Sequence, residues 1–181
     1  HEWRGSKDNN LAYHSQLDFL RRRGLRNPPD IGERRMSHII RDEQESDPAR
    51  RYKGIFSDQG NSGRYPGVSP DGFSWTFPHV PPIPSNDTSS FIYDDIKDQY
   101  VLTVKQNTEW GRSVWLSTSQ DFVHFTEPKL VLHTDEIDRE NRRQRVREVV
   151  EDPAYVSPGV IDEEADYIAQ LYMMSLMTYE G

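Results

Sequence analysis

The chain has 181 residues, 34% of them apolar, with 30 acidic against 22 basic side chains and a formal net charge of −8. That length suits one ordinary domain, and the acidic surplus argues against a nucleic-acid or anionic-membrane partner, either of which would call for a basic face. Cysteine is absent, which excludes disulfides, thiolate metal sites and a thiol nucleophile and leaves the compartment open, export included. With 4 Trp, 9 Tyr and 7 Phe the chain is too aromatic for a disordered acidic polymer. No apolar run approaches the roughly 18 residues of a membrane-spanning helix. A folded, polar, all-β protein is the expected class.

In chain order, residues 1–14 hold a polar turn, Gly5-Ser6-Lys7-Asp8-Asn9-Asn10, and a short strand at 11–14. Residues 17–23 suit about two helical turns, closed by Gly24 and Asn27-Pro28-Pro29, and read as an insertion between strands. Strands are expected at 37–40, 52–56 and 64–68, with a hairpin at 69–75 leading to a fourth. Pro78, Pro81, Pro82 and Pro84 mark a linker, because proline removes ladder donors. A second set of strands follows at 90–93, 100–105, 112–116 and 130–132, with Tyr100, Leu102 and Val104 on one face of their strand and Val101, Thr103 and Lys105 on the other. Residues 135–152 are charge-dense, with acids first and bases later, which suits the macrodipole of a surface helix. After a connector, residues 171–177 read as one more strand, so the chain is expected to be a fragment that stops at the turn Tyr179-Glu180-Gly181.

The two strand sets repeat. Tyr52 and Tyr100 lie 48 residues apart (100 − 52), as do Arg64 and Arg112 (112 − 64), whereas the closing aromatics Trp75 and Phe125 lie 50 apart (125 − 75). Between Arg and aromatic comes a Ser-and-Asp turn, Ser69-Pro70-Asp71-Gly72 in one copy and Ser119-Gln120-Asp121-Phe122 in the other. A period near this length, built from short strands, is the mark of a propeller blade. The division that follows is a first strand with its insertion at 1–35, blades at 36–86 and 87–134, a charged excursion at 135–169 and the start of a further blade at 170–181. Arg64 and Arg112 are expected at the same register, which favours a framework role.

Ser69-Pro70-Asp71-Gly72-Phe73-Ser74-Trp75 resembles the Asp-box turn of sialidases and related propellers, a motif whose Asp and Ser bond local backbone groups. Together with Asp47-Pro48, Arg51-Tyr52-Lys53, Asp87-Thr88, Gly111-Arg112-Ser113-Val114 and Ser117 to Pro128, the chain resembles bacterial proteins similar to glycoside hydrolase family 32, and more loosely the five-bladed β-propeller hydrolases of families 32, 43 and 68. The resemblance implies about two and a half blades of a five-bladed propeller with short helical insertions and a carbohydrate substrate or ligand; with no paired histidine spacing and no Gly-rich phosphate loop, no metal or cofactor is expected. It also implies carboxylates around the propeller axis, since glycoside hydrolysis uses one carboxylic acid to protonate the leaving oxygen and another carboxylate to attack or activate water.

Carried over by motif, Asp8 fits the turn that opens the first blade, with Asn9 beside it as a substrate contact. Asp87 fits the transition-state-stabilising position, although Asn86-Asp87-Thr88 replaces the family's Arg-Asp-Pro. Asp166, which precedes the last strand-like run, and Glu180, which follows it, are the candidates for the acid. Arg112 reaches toward sugar hydroxyls, Trp110 offers an aromatic face for stacking, and His38 lies on an inner strand. Two other readings stand beside hydrolysis: a carbohydrate-binding or scaffold propeller lacking the acid set, and a protein-interaction propeller of the WD type, which is poorer because neither a Trp-Asp nor a Gly-His pair occurs. A partial propeller leaves unpaired edges, so self-association is expected if the chain is truncated.

Overall fold

The computed structural model describes residues 35–57, 62–154 and 168–179. Asp8, Asn9, Asp166 and Glu180, with the strand and helix expected before residue 24, lie outside the described residues. Two antiparallel meanders form the fold. The first runs β1 (Arg35–Arg41), β2 (Tyr52–Ser57), β3 (Gly63–Ser69) and β4 (Ile83–Pro84), and the second β5 (Asn86–Asp94), β6 (Gln99–Thr108), β7 (Gly111–Ser119) and β8 (Lys129–Leu132), each in sequential order. The first strands, β1 and β5, are neighbours. A helix, α1 (Glu136–Glu151), follows β8, and a single 3-10 turn at Pro48–Arg50 precedes β2.

The apolar core draws on both sheets: Ile55, Val68 and Ile83 from the first, and Phe91, Leu102, Val104 and Phe122 from the second. In the first sheet, Gly54 pairs with Gly67. A Cβ at Gly54 would stand 2.7 Å from Phe56 Cε2 and 2.8 Å from Trp75 Cζ3, so glycine there lets the Phe56 and Trp75 rings meet edge-on at 5.0 Å.

The Ser-and-Asp turns are the same device twice. Asp71 Oδ1 accepts from the amides of Phe73 (2.9 Å) and Ser74 (2.7 Å), and Asp121 Oδ1 accepts from those of Val123 and His124 (2.8 Å each). Ser69 and Ser119 each donate to the following Asp at 3.0 Å. Equivalent positions hold positive φ, Gly72 at 77° and Phe122 at 59°. Phe122 adopts a conformation that bulky residues avoid, and its fully buried ring packs against Phe91 and Tyr100.

Several expectations change. Register overturns the equivalence of the two arginines: Tyr52 pairs with Ser69 and Tyr100 with Ser119, but Ser57 pairs with Arg64 while its counterpart Lys105 pairs with Val114. The β6–β7 hairpin is two residues longer than β2–β3, so the matched 48-residue spacing misaligns the arginines by two positions. Arg64 is fully buried and Arg112 exposed. The fourth strand lies inside the proline-rich stretch read as a linker. It is short and at the sheet edge, where Pro84 forfeits little ladder bonding. Residues 171–177 form no strand: among the described residues the run makes a single backbone–backbone bond to a neighbouring strand, Leu171 N to Arg112 O at 3.1 Å, and a strand needs a ladder. The charged helix forms, started by an Asp135–Asp138 capping box, with Val146 as its buried residue. Its last turn carries no basic residue, so the macrodipole is matched at the N-terminus alone.

Polar groups cross-link the sheets. Lys53, fully buried, meets Asp42 at 3.3 Å and Glu45 at 2.5 Å, and donates to the Arg50 carbonyl at 2.9 Å. Asp42 also accepts from the Tyr100 hydroxyl of β6, and the hydroxyl rises above its ordinary value, first through burial and then through this bond. Arg64 donates to Ser89 Oγ at 2.8 Å and to the Asp87 carbonyl of β5. Removing one member of a buried ion pair strands the other without compensation. Lys53→Met is therefore expected to lower the unfolding free energy by about 3–5 kcal/mol. Arg41→Ala, which breaks the exposed Arg41–Glu43 pair (3.2 Å), should cost less than about 1 kcal/mol. Urea unfolding followed by Trp fluorescence measures both, and equal losses would contradict the assignment.

Candidate functional site

The meanders place the end of β2, the start of β3, the β4–β5 link and the β6–β7 turn at one end. Asp87 stands there, second residue of β5. Opposite it the register slips: Asn86 pairs with Lys105 and Ser90 with Thr103, so four steps of β5 face two of β6. The surplus forms a bulge, and Asp87 takes φ 48°, a left-handed conformation that Asp tolerates better than most residues. The bulge sets the Asp87 carboxylate against Lys105, whose Nζ approaches Oδ2 at 2.7 Å. The lysine side chain is 6% exposed and the aspartate 40%, so the pair joins a buried cation to a half-open anion.

Tyr172 completes the group. Its hydroxyl bonds Asp87, which is the main reason that hydroxyl is raised above the ordinary tyrosine value. Its ring lies 4.1 Å from Lys105 Nζ and 5.3 Å from the Arg112 guanidinium carbon. Thr88 Oγ1 donates to the Tyr172 carbonyl at 3.2 Å, and Thr103 Oγ1 donates to that of Met174 at 3.2 Å, which fasten the segment to β5 and β6. Asp87, Lys105, Tyr172 and Arg112 thus gather at one place. With the Lys105 ammonium and the Tyr172 hydroxyl both donating to it, Asp87 is arranged as an acceptor.

The other sequence candidates are placed differently. His38 bridges the first strands of the two sheets: Nδ1 accepts from the Phe91 amide at 3.1 Å and lies 3.4 Å from Ser90 Oγ, and its ring packs on Phe91 at 4.9 Å. That contact makes it a positioning residue for β5. Trp110 is no open stacking platform, because the Arg139 guanidinium of α1 lies 4.7 Å from its ring and His133 stacks at 6.3 Å. Among the described residues no group of three or more His, Asp or Glu converges closely enough to hold a metal.

Lys105 and Tyr172 are functional candidates that sequence reasoning missed. The available signal was a lysine closing an otherwise apolar and hydroxyl-bearing strand, where a charge must find a partner. Nothing in the sequence pointed to Tyr172, because its contact depends on how 168–179 crosses the second sheet. Comparison with protein-family models, with curated proteins and with solved structures finds no match.

The His38 ring makes one pH-dependent prediction. Burial lowers its pKa below the ordinary 6.5, and only the neutral ring can accept from the Phe91 amide. The unfolded chain takes up the proton first, so stability is whole above pH 6.5 and falls as pH drops from there through the lowered folded value. His38→Asn, whose Oδ1 accepts at any pH, should remove that part of the slope in urea titrations between pH 7 and 5. An unchanged slope would contradict the bridge.

Proposed function

We propose that the two sheets are consecutive blades of a five-bladed β-propeller resembling glycoside hydrolase family 32, and that the Asp87 end acts on a carbohydrate by hydrolysing a glycosidic bond. The observation that carries this reading is Asp87 itself: a carboxylate at the foot of a first strand, fixed at 2.7 Å by a buried lysine and left 40% exposed. A group held that way serves as a fixed negative end, able to accept from sugar hydroxyls and to stabilise positive charge developing at the anomeric carbon. Such preorganisation acts without rearrangement at the moment of reaction. The proton donor and the nucleophile or base are assigned to the acids outside the described residues, Asp8, Asp166 and Glu180.

A second reading, a carbohydrate-binding propeller without hydrolysis, is favoured by one observation. Asp87 is engaged by Lys105 and Tyr172, and no His/Asp/Glu trio gathers around it among the described residues. Release of reducing ends from a panel of oligosaccharides separates the two. Hydrolysis predicts turnover by the native chain and a loss of about 10²–10³-fold in kcat/KM for Asp87→Asn, the usual scale for removing one electrostatic stabiliser. Full activity in Asp87→Asn would overturn its role, and glycan binding without turnover would establish the second reading.

A further inference from the structure

Arg112 is held firmly and its charge is left open. Its amide donates to Gln170 Oε1 at 2.9 Å and its carbonyl accepts from Leu171 at 3.1 Å, so the backbone at the head of β7 is fixed. The side chain is exposed, with its guanidinium beside the Tyr172 ring. Lys105, on the same ring, is matched by Asp87. Among the described residues no carboxylate lies within salt-bridge distance of Arg112. In a chain of net charge −8, a cation on a fixed backbone with no acidic partner among the described residues stands out against the general field.

A guanidinium presents five N–H donors in a planar fork that matches a carboxylate with two parallel hydrogen bonds. Packing against an aromatic ring pre-orients that fork and reduces the freedom lost on binding. The Tyr172 hydroxyl touches Asp87 while its ring faces Arg112, so an acceptor for sugar hydroxyls and a donor pair for a carboxylate lie one aromatic ring apart. We propose that Arg112 binds the carboxylate of a hexuronate residue, so that the glycan recognised beside Asp87 is acidic. This rests on the carbohydrate reading above and names its substrate class. A lysine there would give a point charge without the fork, which makes the residue type part of the proposal.

The test is calorimetric titration of the full chain with a hexuronic-acid trisaccharide and with its methyl ester, the same sugar without the charge. The acid is expected to bind at least about tenfold more tightly than the ester, a difference of about 1.4 kcal/mol. Arg112→Gln should bring that ratio close to one, and Arg112→Lys should keep part of it. An ester bound as tightly as the acid, or a ratio unchanged in Arg112→Gln, overturns the proposal. If the ester and neutral trisaccharides bind while the acid gains nothing, the carbohydrate reading stands and the acidic-sugar assignment falls. If no saccharide binds, both fall.

Discussion

Two fully buried cations, Lys53 and Arg64, govern how the sheets meet. Neither could be withdrawn from water without partners: Lys53 finds them in the β1–β2 connection, and Arg64 finds them on the second sheet. Lys53 gathers Asp42 and Glu45, and Asp42 in turn takes the Tyr100 hydroxyl from β6. Arg64 reaches Ser89 and the Asp87 carbonyl on β5. Burial of apolar area supplies most of the attraction between the sheets, but it is indifferent to small sliding. Directional polar contacts are not, and with one near each end of the interface and His38 between them, they select a single alignment.

That alignment has a consequence for chemistry. The carbonyl of Asp87 is held by Arg64 from one sheet, and its carboxylate by Lys105 from the other. Asp87 is therefore anchored through both its backbone and its side chain, in a left-handed conformation that the bulge in β5 imposes. Preorganisation of this kind is what an electrostatic site needs, since a carboxylate free to swing would spend binding energy on being positioned. The group has a positive flank, Arg112, in an acidic chain, and the proposed preference for an acidic sugar rests on that contrast.

The strands were largely legible because their faces alternate: β6 carries Tyr100, Leu102 and Val104 inward, and the Ser-and-Asp turns announce themselves by residue type. The charged helix was legible from Asp135 onward, where a capping residue precedes a run of helix formers. Less was legible where packing decides. The spacing of Arg64 and Arg112 matched by coincidence, because a hairpin two residues longer shifted the register without disturbing the count. The proline-rich edge strand was hidden by its own composition, and 171–177 has strand-forming residues but no ladder. At the site, Asp87 could be found from its place before a strand. Lys105 and Tyr172 could not, since the bulge that brings the aspartate to the lysine has no signature in residue type, and the tyrosine arrives from more than sixty residues away.

The claim on which the rest stands is that the sheets are docked through this polar interface. Among the described residues β5 is the edge of its own sheet and pairs with β6 alone, so the Phe91 amide, directed at His38 Nδ1 of β1, is protected only if the sheets are joined. Native-state hydrogen exchange at Phe91 measures this directly. The account predicts that this amide exchanges only through global unfolding, as slowly as the central amides of β6. Exchange at the rate of an exposed sheet edge, with β6 still protected, would contradict it.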